Sequence, residues 1–210
     1  MNKEDAARQE AGRVLFAGSC RFVAAADKPP RIPSFDAPEI AFAGRSNVGK
    51  SSLLNALVGR TGLARVSRTP GRTRELIFFD LAGRLMLVDM PGYGYAKAPK
   101  VLACEWHELM LSYLQGRSNL RRVILLLDAR RSPSNTDCAF MALLNRLAVA
   151  FQIVLTKADA VSSDELAVRA GVATRLARDL AAAHPVLITT SSRSGTNIDR
   201  LRAELALLTA

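Results

Sequence analysis

Cysteine, histidine, aromatic residues, acidic charge and long apolar runs are all scarce in this chain. Each shortage closes off a class of protein. Of 210 residues, 3 are cysteine, and Cys20, Cys104 and Cys138 lie far apart with neither metal-ligand spacing nor a disulfide framework. They read as buried or free thiols in a reducing compartment. No apolar run reaches membrane-spanning length, and the strongest, Val123 to Leu127, is strand-sized. The opening Met1-Asn2-Lys3-Glu4-Asp5 carries mixed charge and is not a secretory signal. Together these point to a cytoplasmic protein. His107 has no acid or nucleophile beside it in the sequence and reads as a surface or packing residue. Acidic residues number 19 against 29 Lys and Arg, a formal charge of +10. That excess, mostly arginine, implies a polyanionic partner, RNA first, or else a basic surface that only aids solubility.

What is present is enough for one α/β domain with a core, since 49% of residues are hydrophobic. The organising stretch is Gly44-Arg45-Ser46-Asn47-Val48-Gly49-Lys50-Ser51-Ser52. It fits G-x-x-x-x-G-K-[ST], between an apolar strand at 39–43 and a helical pattern from Ser52. Gly44 and Gly49 permit turns that a Cβ obstructs, so that backbone N–H groups can form a nest for anionic oxygens at a helix N-terminus. Lys50 brings a full charge to the β- and γ-phosphates, and Ser51 a hydroxyl for Mg²⁺. This loop alone does not choose between GTPase, ATPase and kinase.

The rest of the chain narrows the choice. Residues 1–37 read as an N-terminal extension with a helix over 5–16, punctuated by prolines, ahead of a domain over 38–210. Residues 59–74 read as an arginine-rich loop whose Thr73, with Thr69 as runner-up, stands where a nucleotide switch senses the γ-phosphate through Mg²⁺. Strands at 75–81 and 84–89 join through Ala82-Gly83 as a hairpin. The second ends in Asp89-Met90-Pro91-Gly92, a D-x-x-G pattern: Asp89 can hold Mg²⁺ through water, and the Gly92 N–H can bond the γ-phosphate. Tyr93 follows, neither amide nor base, which implies slow unaided hydrolysis. Helices are expected at 101–115, 134–148 (capped by Ser132 or Ser134), 164–183 and 197–208, and buried strands at 121–128, 151–155 and 184–189. The 151–155 strand runs into Thr156-Lys157-Ala158-Asp159. A carboxylate there can accept from guanine N1–H and N2–H₂ together, a donor pair adenine lacks, while the Lys157 stem can lie on the base plane. After the last strand, Thr190-Ser191-Ser192 can bring a backbone N–H, that of Ser192, to guanine O6.

The wording of these motifs resembles one family. G-R-S-N-V-G-K-S-S at 44–52, T-P-G-R-T at 69–73, D-M-P-G-Y-G at 89–94 and T-K-A-D at 156–159 are similar to the bacterial EngB (YsxC or YihA) family of translation-factor-related GTPases. The resemblance spans about residues 20–210. It implies a Mg²⁺-dependent GTPase associated with assembly of the large ribosomal subunit and with normal cell division and septation. It implies Mg²⁺ ligands at Ser51 and Thr73. The implied nucleotide contacts are 44–51, Gly71, Arg72, Thr73, Arg74, Glu75, 89–92, 156–159 and 190–192. Met90 stands where the family often has Leu. In related families an Asn at the position of Asn47 can bind K⁺ near the phosphates and accelerate hydrolysis.

The expected fold is three-layered: a six-stranded, mostly parallel sheet with one antiparallel edge strand from the 75–89 hairpin and helices on both faces. Catalysis is expected to be electrostatic, with Lys50 and Gly92 as its named residues, in a monomer that contacts ribosomal RNA and proteins. The alternative is a GTP-controlled binding module for RNA or a division protein, with turnover incidental. A nucleoside or metabolite kinase needs an acceptor site and a lid, and the sequence offers neither.

Overall fold

Alternation along the central strands dictates the architecture. The structure, a computed structural model, describes residues 3–63, 75–93 and 100–209. In β5 (Leu120–Asp128), Val123, Leu125 and Leu127 are buried on one face, and Ile124 and Leu126 on the other. β2 (Glu39–Gly44) divides likewise, Ala41 and Ala43 against Ile40 and Phe42. Strands apolar on both faces require cover on both. On one side lie α3 (Lys100–Leu114), α4 (Asn135–Arg146) and α5 (Ser163–Ala177), which contribute Tyr113, Phe140 and Ala173 to that core. On the other lie α1 (Lys3–Ala17), α2 (Lys50–Leu57) and α6 (Ile198–Ala206), through Leu15, Leu53, Leu54, Ile198 and Leu201.

The sheet is completed by β1 (Cys20–Ala26), β3 (Leu76–Leu81), β4 (Leu85–Asp89), β6 (Phe151–Thr156) and β7 (Ile188–Thr189), in the order β1-β3-β4-β2-β5-β6-β7. It is mostly parallel. β3 pairs antiparallel with β1 and with β4, the latter through a tight hairpin whose Ala82 and Gly83 both have positive φ, 57° and 67°. Seven strands stand where six are expected, and β1 rather than β3 lies at the edge. β1 gives a poor period-two signal because Arg21, Phe22 and Val23 are all exposed and the register shifts between Phe22 and Ala24. The last strand is shorter than expected, since Pro185 has no N–H for the ladder and pairing resumes only at Ile188. Ser134 caps α4: its hydroxyl accepts from the Asp137 N–H, while the Asp137 carboxylate accepts from the Ser134 N–H at 2.8 Å.

β2 pairs with β4 on one side and β5 on the other, so chain order reverses at β2. The carboxyl ends of β2, β4, β5 and β6 therefore open onto one rim, where α/β sheets bind ligands.

α1 reaches the body through a close crossing with α6. A Cβ on Gly12 would lie 2.6 Å from the Ala203 backbone nitrogen and 2.7 Å from the Arg202 carbonyl carbon. Gly12→Ala gains up to about 1 kcal/mol of helix propensity. Forcing the helices apart costs about 1–3 kcal/mol, so the clash wins. Urea denaturation should show a net loss of stability; a gain would mean the crossing tolerates separation.

Candidate functional site

The Gly44–Ser51 loop leaves β2 and enters α2, and its bends are where the sequence demands them. Asn47 and Gly49 have positive φ, 63° and 109°. Gly44 is fixed by space: a Cβ there would meet Val48 Cγ1 at 2.8 Å and the Leu126 carbonyl at 3.0 Å. α2 begins at Lys50 with no side-chain cap, so its first N–H groups, Ser51's among them, remain for an anion.

Two consecutive residues at the end of β6 hold this loop in shape. The Thr156 hydroxyl donates to the Val48 carbonyl at 2.6 Å, with the Leu127 carbonyl at 3.3 Å. Lys157, itself in a left-handed conformation (φ 60°), donates from Nζ to the Asn47 carbonyl at 2.6 Å and to Asp128 Oδ2 at 2.8 Å. The Ala158 N–H donates to the Thr190 carbonyl at 3.0 Å, which joins the T-K-A-D turn to the loop after β7. There Thr190 and Ser191 are buried: the Thr190 N–H donates to the Leu155 carbonyl, and the Ser191 hydroxyl accepts from the Arg193 and Ser194 N–H groups. Ser192 is half-buried and Asp159 exposed.

The D-x-x-G stretch lies along the other flank. Asp89, at the end of β4, is ion-paired with Lys50, their side chains 5% and 11% exposed. Met90 and Pro91 are buried. Gly92 packs on the loop so closely that a Cβ would lie 3.0 Å from Ser46 Oγ. The Tyr93 N–H donates to the Gly44 carbonyl at 3.3 Å. Glu75 is exposed just before β3, whose Ile77 stands opposite Asp89, so it belongs to the same rim. Thr69, Gly71, Arg72, Thr73 and Arg74 lie outside the described residues. Everything else the sequence points to comes together: Arg45, Ser46, Asn47, Val48, Gly49, Lys50, Ser51, Asp89, Gly92 and Thr156 to Asp159 line one end of the sheet.

Two residues gain partners that the sequence did not show: Asp128, which escaped the sequence reading, and Tyr93, read there only as the residue after Gly92. Asp128 receives Lys157 and also Arg130, at 2.9 and 2.8 Å. Its place as the first polar residue after an apolar parallel strand was the available signal. Burial works against its charge, but Arg130 and Lys157 more than offset this and hold the carboxyl down to about 2. The second is Tyr93. It is buried, stacks on Phe140 with ring centroids 4.6 Å apart, and donates from its hydroxyl to Asp137 Oδ1 at 2.9 Å. Burial and Asp137 together push its phenol pKa well up, so it remains a neutral donor. His184 accepts from the Val186 N–H in the turn before β7, away from the rim, and burial, with Arg122 nearby, holds its pKa down.

Chemically, the rim offers free helix-start amides, a buried ammonium and hard oxygen donors. Among the described residues no group of His, Cys, Asp or Glu forms a metal cluster. The Ser51 hydroxyl, and the Asp89 carboxylate through water, are nonetheless of the kind that would suit Mg²⁺, which takes most of its shell from phosphate and water.

Comparison with known proteins bears on this geometry. A family model described as "50S ribosome-binding GTPase" matches residues 39–157. Among curated proteins, the probable GTP-binding protein EngB of Gluconobacter oxydans is 54% identical over 200 residues, covering 95% of this chain and 88% of that protein. The protein of the same name from Granulibacter bethesdensis is 55% identical over 205 residues, covering 98% and 92%. Among solved structures, a probable GTP-binding protein engB superposes with a TM-score of 0.61 at 25% identity, covering 81% of this chain and 98% of that one. Aquifex aeolicus Era bound to GDP.AlF4- shares the fold, with a TM-score of 0.66 at 20% identity, covering 83% and 57%.

The low pKa of Asp128 makes a prediction. A carboxyl whose folded pKa is depressed contributes stability above its unfolded pKa and loses it as pH falls through the folded value. Asp128→Asn should therefore cost about 1–2 kcal/mol at pH 6. Between about pH 4 and pH 2 the wild type should lose its advantage until the two converge. Urea titrations at a series of pH values measure this, and a pH-independent difference would assign the effect to packing.

Proposed function

The chain belongs to the EngB family of GTP-binding P-loop GTPases, and from that premise we propose that it works in the cytoplasm as a GTP-hydrolysing switch in assembly of the large ribosomal subunit. Through that role it serves normal cell division and septation. The observation that carries the reading is the Lys157 bond to the Asn47 carbonyl at 2.6 Å. It ties the 44–51 loop to the T-K-A-D turn, as one site that takes both the phosphates and the base of a nucleotide requires. The family description, with its ribosomal term, and the +10 charge support the choice of partner.

The residue roles follow. The 44–51 amides and Lys50 bind the β- and γ-phosphates, Asp159 reads guanine, and the loop at 190–192 closes on its O6. Met90 and Pro91 place Gly92, whose N–H meets the γ-phosphate. Ser51 and Thr73 would hold Mg²⁺, with Asp89 behind it through water, and Gly71, Arg72, Arg74 and Glu75 complete the nucleotide contacts. When bound, the ion neutralises charge on the phosphate oxygens. Lys50 exchanges Asp89 for phosphate and balances charge on the transferring group. The position after Gly92 offers neither an amide nor a base to the attacking water. Tyr93, at the position after Gly92, is held on Asp137 and Phe140. Unaided turnover is therefore slow, and a ribosomal partner or K⁺ near Asn47 accelerates it.

The same pinned Tyr93 favours the alternative, a GTP-controlled binding module whose turnover is incidental. Co-sedimentation with purified large subunits separates the two. Binding with a non-hydrolysable GTP analogue but not with GDP, together with hydrolysis stimulated by the subunits, is expected; nucleotide-insensitive binding without stimulation would favour the module.

Lys50→Ala should abolish measurable GTP affinity. Asp159→Asn should weaken GTP by about 100-fold or more, the lower end of what two hydrogen bonds to a charged group contribute, and admit xanthosine nucleotides. Retained GTP affinity in Asp159→Asn would remove the base-reading assignment. Hydrolysis should run faster in KCl than in NaCl, and equal rates would remove K⁺.

A further inference from the structure

Beside the P-loop lies a cavity of about 160 Å³ that shares one wall with the nucleotide assignments and extends beyond them. Its walls are the P-loop from Arg45 to Val48, the end of β5 and the turn Arg130-Arg131-Ser132-Pro133 that leads into α4. The charge on this rim is one-sided. Asp128 is satisfied by Arg130 and Lys157, and Asp137 by Tyr93 and Ser134. Neither the Arg45 nor the Arg131 side chain has a hydrogen-bond partner among the described residues, and Arg130, though paired, is exposed. Arg169 on α5 reaches the Ser132 hydroxyl and adds a further guanidinium at the outer edge. Arginine forks match phosphate oxygens in pairs, and a cluster of them at an open groove follows a phosphodiester backbone.

This rim is tied to the nucleotide loop by one carboxylate. Tyr93, immediately after Gly92, donates to Asp137 Oδ1 at 2.9 Å. Asp137 Oδ2 accepts from the Ser134 N–H at 2.8 Å and its hydroxyl at 2.6 Å. Ser134 ends the arginine-bearing turn. A short chain of groups, the buried Tyr93 and Asp137 and the half-buried Ser134, thus links Gly92 to the turn.

We propose that the rim of Arg45, Arg130 and Arg131 docks the phosphodiester backbone of RNA, and that the Tyr93–Asp137 hydrogen bond makes this docking respond to the bound nucleotide. The proposal rests on the reading that the partner is the large ribosomal subunit, and it adds where RNA is held and how the signal arrives.

The test is co-sedimentation with large subunits, and filter binding to isolated 23S ribosomal RNA, each with GDP and with a non-hydrolysable GTP analogue. Arg131→Glu, an exposed change outside the nucleotide contacts, should weaken both associations about tenfold, flatten their salt dependence and leave basal GTP hydrolysis unchanged. Tyr93→Phe keeps the ring and its stacking and removes only the hydroxyl. It should leave nucleotide affinity within about twofold, yet move the analogue-to-GDP binding ratio towards one by about threefold or more. If the wild type binds subunits and Arg131→Glu binds equally well, the rim is not the contact and this proposal fails while the assembly reading stands. If Arg131→Glu weakens subunit binding but not binding to the RNA, the occupant is a ribosomal protein and the RNA assignment fails. An unchanged ratio in Tyr93→Phe overturns the coupling. Failure of the wild type to bind subunits in either state overturns the proposal together with the reading beneath it.

Discussion

One ammonium group joins three strand ends. Lys157 reaches from the end of β6 to a P-loop carbonyl and to the carboxylate that ends β5. The backbone at Lys157 is left-handed, at a cost of about 1 kcal/mol or more for a residue with a side chain. Two charge-assisted hydrogen bonds offset that cost. Without this tie, the P-loop would keep its glycine-dependent bends but lose its fixed distance from the T-K-A-D turn. A ligand spanning the loop and the turn would need them at one spacing, which this residue helps to fix. The Thr156 hydroxyl does the same work one residue earlier, on the next carbonyl of the loop. A short hydroxyl donor suits a carbonyl in contact with the strand end.

Much of this was legible because it is local. Gly44, Gly49 and Lys50 announce themselves by type and spacing. The hairpin is written in Ala82-Gly83, and the parallel core in runs such as Val123 to Leu127. The motifs then fall at carboxyl ends of strands because parallel sheets put their loops there. The illegible parts depend on distant partners. β1 exists because β3 offers it an edge, and its own pattern, with a bulge and exposed Phe22, does not alternate. Asp128 gains meaning only when a lysine 29 positions later returns to it. Tyr93 reads as a loop aromatic until Asp137, 44 positions on, is seen to receive its hydroxyl.

Charge tells a similar story. A net charge of +10 suggests a polyanion at first sight, yet several arginines serve the fold. Arg117 meets the fully buried Glu39 with two nitrogens, at 2.9 and 2.6 Å, where Tyr113 also donates at 2.9 Å. Arg202 donates to the Leu57 and Ala56 carbonyls at the end of α2, where a cation complements the helix dipole. Composition alone cannot separate these from arginines without partners. The separation matters, because an arginine that is not hydrogen-bonded is the freer to bind, and in the described structure Arg45 and Arg131 are of that kind and share one rim with the exposed Arg130.

The buried pair of Lys50 and Asp89 poses the last question, since ion pairs out of water return little net stability. Its arrangement makes sense as a resting state. An ammonium 11% exposed cannot go unpaired without a large desolvation cost, and the carboxylate that neutralises it stands at the head of the D-x-x-G stretch. An anion entering the P-loop would compete with Asp89 for the same group. Lys50 cannot serve both fully, so a bound phosphate would free the carboxylate three residues before Gly92. Occupancy and loop state would then be coupled by charge balance alone, before any protein partner arrives.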